Sequence, residues 1–237
     1  MAGERLLALR TQGLQDAELK DAGDAAAHTV IVGELARRFP DDGVLSEEGR
    51  EDDVGRDSKA RLDLARVWIV DPLDGTREYA ELPRTDWAVH VALAIDGRLA
   101  AGAVALPARG LTLATGAALP ALSPAAARPR VVVSRTRPTE HALRIVEQLD
   151  GDLVPMGSAG AKAMAVVLGE ADVYAHSGGQ YEWDSAAPVA VAAAAGLHVS
   201  RLDGSPLLYN RPDPWLPDVL ICRPELAASV IEICREA

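Results

Sequence analysis

Apolar residues recur at two spacings along the chain, and these spacings predict its helices and strands. In the N-terminal part, Ala27, Ile31 and Leu35 repeat every four residues, which predicts a helix that begins at Asp24 and stops before Pro40. A weaker stripe predicts a short helix over residues 4–20. The continuous apolar run 67–70 predicts a strand buried on both faces, and further strands are predicted at 44–45, 87–95, 99–106 and 111–115.

Local signals define the connections between these elements. Asp96-Gly97 lies between two strands and is a strong hairpin signal. The polar run from Arg50 to Lys59 predicts an exposed, mobile loop. An Ala/Pro-rich stretch without a period covers residues 116–129, and it favours two subdomains, 1–128 and 129–237.

Strand and helix patterns alternate in the second half. The predicted strands lie at 130–134, near 153, and at 172–175, 197–202 and 219–222. The predicted helices lie at 139–149, 161–168, 184–195 and 225–235. Such a series favours an α/β or α+β layered sandwich.

Composition excludes several classes of protein. The chain has 35 acidic and 24 basic residues, a formal charge of −11, which argues against a nucleic acid polymer as partner. Cys222 and Cys234 lie in apolar stretches and are expected to be buried thiols rather than a disulfide. No run approaches the ~18 apolar residues that would span a membrane, and we expect a cytoplasmic protein without membrane contact.

The richest segment is residues 68–76, Trp-Ile-Val-Asp-Pro-Leu-Asp-Gly-Thr. A buried strand ends here in two carboxylates, Asp71 and Asp74, which would be costly without a cation or hydrogen-bond donors. Magnesium prefers such oxygen ligands. The spacing alone is equally consistent with a turn in which Asp74-Gly75 closes a loop and Asp71 caps a helix.

Four segments in order carry a resemblance to the inositol monophosphatase superfamily of magnesium phosphatases. The signature Trp-Ile-x-Asp-Pro-[Ile/Leu]-Asp-Gly-Thr matches residues 68–76. Leu45-Ser46-Glu47-Glu48-Gly49 resembles the upstream Glu-Glu element, and residues 183–188, Trp-Asp-Ser-Ala-Ala-Pro, resemble the downstream Trp-Asp element. Asp24 stands where the family has an aspartate at a helix start. The resemblance implies a five-layered α/β/α/β/α sandwich, with the metal site in subdomain 1–128 and an active site completed by subdomain 129–237.

The resemblance also implies residue roles. Two or three Mg²⁺ ions would be held. One ion would be bound by Glu47, Asp71 and the Leu73 carbonyl. A second would be bound by Asp71, Asp74 and Asp184, so that Asp71 is shared. Thr76 with Asp24 would orient and deprotonate the attacking water. Two neighbouring metals suit an in-line displacement at phosphorus.

Within the superfamily the chain resembles the bacterial 3′-phosphoadenosine 5′-phosphate phosphatases, which implies a small phosphorylated nucleotide as substrate. The resemblance lies in residues 24–31, in Val132-Val133-Ser134-Arg135, in Gly157-Ser158 followed by Lys162, and in residues 202–210. A second phosphate needs cations beyond the metals, and Lys162, Arg135 and His176 are candidates in an otherwise acidic protein. The expected substrate contacts are Gly75, Thr76, Ser134, Arg135, Gly157, Ser158, Lys162 and His176.

Three alternatives stay open at this point. Inositol monophosphatases place a glutamate shortly before the final Trp-Asp, where this chain has His176 or Ser177, which argues against inositol as the main substrate. Fructose 1,6-bisphosphate is a further alternative. A non-catalytic nucleotide-binding relative would be expected to lose a metal carboxylate or Thr76, whereas this chain keeps them all. A homodimer is compatible with the sequence.

Overall fold

Two five-stranded sheets, each built from one half of the chain, form the frame of the molecule. The computed structural model describes residues 1–14, 16–49 and 60–236. The first sheet follows chain order, and its strands are β1 (Gly43–Ser46), β2 (Arg66–Asp74), β3 (Ala88–Ile95), β4 (Arg98–Leu106) and β5 (Leu111–Ala114). β1 is parallel to β2, and the other neighbours are antiparallel.

The second sheet mixes parallel and antiparallel pairs. Its strands are β6 (Arg130–Ser134), β7 (Asp152–Met156), β8 (Val173–Tyr181), β9 (His198–Ser200) and β10 (Trp215–Cys222). They lie in the order β7-β6-β8-β10-β9, with β6 parallel to β7 and β8, and β10 antiparallel to β8 and β9. The sheets fall on either side of residues 128–129, and the division into subdomains there stays a prediction.

Helices cover both sheets and separate them. They are α1 (Ala2–Leu9), α2 (Asp16–Arg38), α3 (Thr76–Ala80), α4 (Glu140–Gln148), α5 (Ala159–Val167), α6 (Glu182–Ala194) and α7 (Ala227–Arg235). α2, with α1 packed on it, covers the first sheet, α5 and α6 contact both sheets, and α4, with α7 packed on it, covers the second. The expected five-layered α/β/α/β/α sandwich is confirmed. No helix among the described residues is both long enough and apolar enough to cross a membrane.

The middle layer is made of small residues. α6 buries Ala186, Ala187, Ala190 and Ala192, each at most 7% exposed. A Cβ at Gly102 of β4 would lie only 2.7 Å from the Cβ of Ala190, so the helix rests almost directly on the strand backbone. Because alanine and glycine add little thickness, α6 can contact the first sheet at van der Waals distance.

Sequence patterns predicted most elements, and the structure corrects some boundaries. The hairpin at Asp96-Gly97 is confirmed: both residues have positive φ, and Ile95 pairs with Arg98. Cys222 and Cys234 are buried free thiols, as expected. The start of a helix at Asp24 is wrong, because α2 begins at Asp16 and carries Asp24 in its interior. The predicted loop at residues 50–59 lies outside the described residues.

Gly23 explains the misplaced boundary. It occupies the apolar stripe of α2 between Leu19 and Ala27, where glycine is normally a helix breaker. A Cβ there would lie 2.8 Å from the Tyr79 ring and 3.0 Å from Leu73. The glycine therefore serves a close approach between α2 and the segment that follows β2, and this approach brings Asp24 towards the end of that strand.

Candidate active site

The segment that ends β2 turns sharply into α3. Asp71 pairs with His90 of β3, and the register shifts between Asp71 and Asp74. Gly75 then adopts a left-handed conformation with φ of 83°, and a Cβ there would lie 2.9 Å from the Cβ of Ser158. Both the backbone angle and the close contact require glycine. The irregularity directs the carboxylates of β2 towards the N-terminal ends of α5 and α6.

Three aspartates converge at this point. Asp71 and Asp74 come from β2 and Asp184 from the first turn of α6, and their carboxylate oxygens lie within 4.8 Å of one another. The backbone N–H of Tyr181 donates to Oδ2 of Asp184 over 2.6 Å, which fixes that side chain at the helix start. An all-oxygen donor set of this kind could hold a hard divalent cation.

Asp74 is the best-stabilised member of the cluster. Its carboxylate accepts hydrogen bonds from the Ser158 hydroxyl and from the N–H groups of Ala159 (3.1 Å) and Gly160 (2.6 Å) at the start of α5. Burial alone would raise the pKa of Asp74, but His90 and these donors lower it to about 2. Asp74 is therefore ionised at neutral pH.

Asp71 has far fewer donors. Its Oδ1 accepts the Leu73 N–H over 3.1 Å, while its buried Oδ2 has no hydrogen-bond partner among the described residues. Burial raises the pKa of Asp71 well above its usual value, and the charges of Asp74, Glu47 and Asp184 raise it further. An orphaned carboxylate oxygen in an acidic cluster fits a cation that the protein itself does not provide.

The expected ligands Glu47 and Asp184 belong to the same electrostatic group. Burial and the charge of Asp184 raise the pKa of Glu47 to about 7. Burial and the charge of Asp74 raise the pKa of Asp184 to about 6. The carbonyl of Leu73 accepts the Thr76 hydroxyl over 3.2 Å and retains a second lone pair. All the ligands expected from sequence therefore lie at or beside the cluster.

His90 is the main residue that the sequence did not reveal. It is fully buried, with Nδ1 donating to the Trp183 carbonyl over 3.1 Å and Nε2 lying 3.3 Å from Oδ2 of Asp74. Burial lowers the pKa of His90, but the carboxylate of Asp74 beside the ring outweighs this effect, and the pKa is raised. A Cβ at Gly160 would lie 2.0 Å from Nε2, so only glycine fits there. His90 thus connects β3 to Asp74 and to Trp183, the residue before Asp184.

The expected dyad, Thr76 and Asp24, is brought to the same region without a direct contact. Thr76 begins α3, and the interior of α2 places Asp24 close enough to Glu47 and Glu48 for their charges to act on it. Burial first, and then these charges, raise the pKa of Asp24 to about 8. No hydrogen bond joins the Asp24 carboxyl to the Thr76 hydroxyl, both of which lie in the described part of the chain.

A cavity of about 370 Å³ opens beside the aspartates. It is bordered by Asp74 and Asp184, by the start of α5 and by the end of β8. Of the expected substrate contacts, four line it: Gly75, Ser158, Lys162 and His176. Lys162 is 7% exposed, and its ammonium lies 5.4 Å from the centre of the Tyr174 ring. Burial lowers the pKa of Lys162, while Asp74, Glu78 and Asp184 act in the opposite direction.

Comparison with known proteins decides the family. The model of the inositol monophosphatase family matches residues 8–236. The chain belongs to this family. A 3′-phosphoadenosine 5′-phosphate phosphatase of Mycobacterium leprae is 48% identical over 99% of this chain and 90% of its own length. The 3′(2′),5′-bisphosphate nucleotidase CysQ of Escherichia coli is 33% identical over 82% of this chain and 81% of its own.

A solved structure supports the same assignment. CysQ of Bacteroides thetaiotaomicron, described as a bacterial member of the inositol monophosphatase family, superposes with a TM-score of 0.76 at 26% identity. The match covers 94% of this chain and 93% of that one. The five layers described above are therefore those of the inositol monophosphatase family.

Four substrate contacts expected from the family resemblance do not line the cavity: Thr76, Ser134, Arg135 and Gly157. Arg135 donates from Nε to Glu78 (2.7 Å) and from Nη2 to Glu81 (2.8 Å), both beside α3. The Ser134 hydroxyl accepts the N–H of Arg137 over 3.3 Å. The N–H of Gly157 donates to Asp86 over 2.6 Å, and a Cβ there would collide with Glu78. Arg135 thus pairs with carboxylates of α3 and of the residue that follows it.

His176 borders the cavity in a neutral form. Its Nε2 donates to the Gly179 carbonyl over 3.1 Å, and burial lowers its pKa. A neutral imidazole beside the cavity is suited to hydrogen bonding rather than to charge pairing with a phosphate.

Proposed function

We propose that this chain is a magnesium-dependent phosphomonoesterase that converts 3′-phosphoadenosine 5′-phosphate to AMP and phosphate. The observation that carries the proposal is one cavity bordered by Asp74, Asp184 and the buried ammonium of Lys162. Bound cations and a lysine together suit a small molecule with two phosphates. The activities for which the relatives of 48% and 33% identity are named support the same substrate.

The acidic cluster would hold two or three Mg²⁺ ions. Glu47, Asp71 and the Leu73 carbonyl are the proposed ligands of one ion, and Asp71, Asp74 and Asp184 those of a second. When bound, magnesium supplies Lewis-acid chemistry that lowers the pKa of water and offsets the charge of phosphate. His90 and the N-terminus of α5 hold Asp74 in place for this task.

Asp24 and Thr76 would orient the attacking water and accept its proton. Asp24, with a pKa of about 8, exchanges a proton near neutral pH, the range that suits a general base. The hydroxyl of Thr76, which lies at the start of α3 beside the Leu73 carbonyl, would bind the water. An oxygen of water forms the new bond to phosphorus, the bond to the 3′-oxygen breaks, and a proton ends on that oxygen.

The cavity residues would hold the rest of the substrate. Gly75 and Ser158 border the aspartates and are placed beside the 3′-phosphate. Lys162 is proposed to bind the 5′-phosphate, and the imidazole of His176 to donate to or accept from the sugar. We place the enzyme in the cytoplasm, and a homodimer stays a prediction.

The test is phosphate release with and without Mg²⁺. We would compare kcat/KM for 3′-phosphoadenosine 5′-phosphate, inositol 1-phosphate and fructose 1,6-bisphosphate, with a chelator as the metal-free control. We expect the nucleotide to be preferred and the chelator to abolish release. A higher kcat/KM for either of the other two phosphates would contradict the proposed substrate.

A further inference from the structure

Aromatic residues are scarce in this chain, yet several gather at one end of the cavity. The sequence contains one phenylalanine, four tryptophans and four tyrosines. Tyr174 and Tyr181 line the cavity, and Trp183 and Trp215 pack against residues that line it. Their grouping beside the cavity indicates a surface for a flat ligand.

Tyr181 and Trp183 form a preassembled stack. Their rings are nearly parallel, with centroids 4.7 Å apart and an angle of 11° between the planes. Tyr181 is nevertheless 46% exposed and borders the cavity, so one face of its ring is supported while part of the ring stays open. Its backbone N–H holds Asp184, which fixes this aromatic surface next to the acidic cluster.

Glycines keep the approach to this stack open. Gly178 and Gly179 both have φ above 90°, and Gly179 lines the cavity. A Cβ at Gly179 would lie 2.6 Å from the indole nitrogen of Trp215, which therefore rests directly on the backbone. Trp215 is the strand partner of Tyr181 and extends the aromatic surface across the sheet.

Beside the aromatic surface lies an amide without a partner. Gln180 is 8% exposed and lines the cavity, and its Nε2 has no hydrogen-bond partner among the described residues. Leaving a buried amide donor unpaired costs free energy, so we expect a ligand group to accept its hydrogen bond. A glutamine amide presents a donor and an acceptor side by side, the arrangement that pairs with the N6 and N7 edge of adenine.

We infer that Tyr181, supported by Trp183, is the stacking surface for the nucleobase of the substrate, and that the amide of Gln180 recognises the edge of that base. The inference rests on the proposed function and deepens it: the aspartates act on the 3′-phosphate, and the end of β8 selects nucleotides over other phosphates. Neither residue was among the contacts expected from sequence.

The decisive experiment compares two substrates that differ only in the base. 3′-Phosphoadenosine 5′-phosphate has the base, and ribose 3,5-bisphosphate keeps both phosphates without it. We expect Tyr181→Ala to lower the ratio of their kcat/KM values by about 5- to 150-fold, the range for loss of one base–aromatic stack. Tyr181→Phe should retain the ratio, because the ring remains.

The chain offers a matched control for this substitution. Phe39 is 37% exposed and also pairs with a tryptophan, Trp68, at a centroid distance of 5.0 Å, but it lies outside the cavity. Phe39→Ala should leave the ratio unchanged. Equal losses on both substrates in Tyr181→Ala, or no loss on either, would overturn the role of Tyr181.

Binding measurements separate this inference from the proposed function. Calorimetry should show that the wild-type protein binds AMP more tightly than ribose 5-phosphate, whether or not it hydrolyses any substrate. If the bisphosphate nucleotide is not hydrolysed but this preference is present, the proposed function fails and the base site stands. Equal affinities for AMP and ribose 5-phosphate would overturn the base site alone.

The role of the Gln180 amide is tested by changing the base of the ligand. Inosine 5′-monophosphate has an oxygen in place of the N6 amino group, so the wild-type protein should bind AMP more tightly. Gln180→Met keeps the length of the side chain without its amide and should reduce that preference to about one. A preference that persists in Gln180→Met would show that another group recognises the base.

Discussion

The acidic cluster at the end of β2 and the cavity wall formed by α5 and β8 differ in what their buried groups lack. Asp71 presents an acceptor oxygen without a donor. Gln180 presents a donor nitrogen for which the described residues provide no hydrogen-bond acceptor, and Lys162 adds a buried ammonium beside the same cavity. One region therefore needs cations, and the other needs the acceptors of an organic ligand.

This difference separates two functions within one cavity. Buried polar groups in a folded protein are nearly always paired, so unpaired ones indicate where a ligand completes the structure. Asp74 provides the contrast inside the cluster: it has a full set of donors and a pKa of about 2, and it anchors the region that its neighbours leave incomplete. Substitutions should accordingly separate metal-dependent catalysis from substrate selection.

The largest effect is expected at Asp71. Asp71→Asn removes the carboxylate shared by the proposed metal ions and should lower kcat by about 10⁴-fold or more. Asp63→Asn, at an exposed aspartate outside the cluster, is the control and should have wild-type activity.

The same variant has a second readout. In chelator, Asp71→Asn should unfold at a temperature equal to or above that of the wild-type protein, because the amide replaces a buried carboxyl whose pKa is raised. A large drop in this temperature would mean that Asp71 serves the fold rather than the metal.

Thr76→Ala should have the next largest effect. Loss of the hydroxyl that orients water should lower kcat by about 10²–10³-fold, with magnesium affinity nearly unchanged. Thr76→Ser keeps the hydroxyl and should restore most of the activity. A wild-type kcat in Thr76→Ala would remove Thr76 and Asp24 from the proposed mechanism.

At the cavity wall, Lys162→Ala should act on substrate choice. Loss of a charge-assisted contact should lower kcat/KM for 3′-phosphoadenosine 5′-phosphate by about ten- to a hundredfold, with a much smaller loss for inositol 1-phosphate. Lys20→Ala, on α2 and outside the cavity, is the matched control. Equal losses on both substrates would assign Lys162 to the fold or to the scissile phosphate.

The smallest effect concerns stability and pH. Asp24, Glu47 and Asp184 have pKa values of about 8, 7 and 6, against about 4 in an unfolded chain. The folded state without metal thus binds more protons, so its stability falls as the pH rises from 5 to 8. In chelator the Tm should be lower by about 5 °C at pH 8 than at pH 5.5.

Two controls accompany the measurement of Tm. Magnesium should remove most of the pH dependence, because bound cations stabilise the ionised carboxylates. Asp24→Asn should reduce it in chelator, while Asp63→Asn should not. A Tm in chelator that rises between pH 5.5 and 8 would contradict the raised pKa values.

The sequence predicted most of the elements and singled out the proposed metal ligands because both depend on local patterns. The apolar run Val67–Val70 identified a buried strand, and the motif that follows it identified Asp71 and Asp74. Matching two further segments to the family's motifs then added Glu47 and Asp184 as proposed ligands. Each inference used residues that are adjacent in the chain or in motifs of fixed order.

What the sequence could not predict depends on contacts between elements. In the sequence, His90 is one histidine within an apolar strand. Its role depends on the pairing of β3 with β2, which places it opposite Asp71, and on the close contact of its ring with Gly160 of α5. In the sequence, Gln180 is an ordinary polar residue, and only the folded structure places it in the lining of the cavity. The ion pairs of Arg135 were also hidden, because its partners, Glu78 and Glu81, lie more than fifty residues away in the chain.

Small residues where α6 packs on the first sheet help to fix the position of Asp184 in the active site. The helix rests on β4 through Ala190 and Gly102, and the same helix carries Asp184 in its first turn. Any larger side chain at this contact would move α6 outward and shift Asp184 relative to Asp71 and Asp74. The spacing of the three aspartates, the proposed metal ligands, is thus set partly by a methyl group outside the acidic cluster.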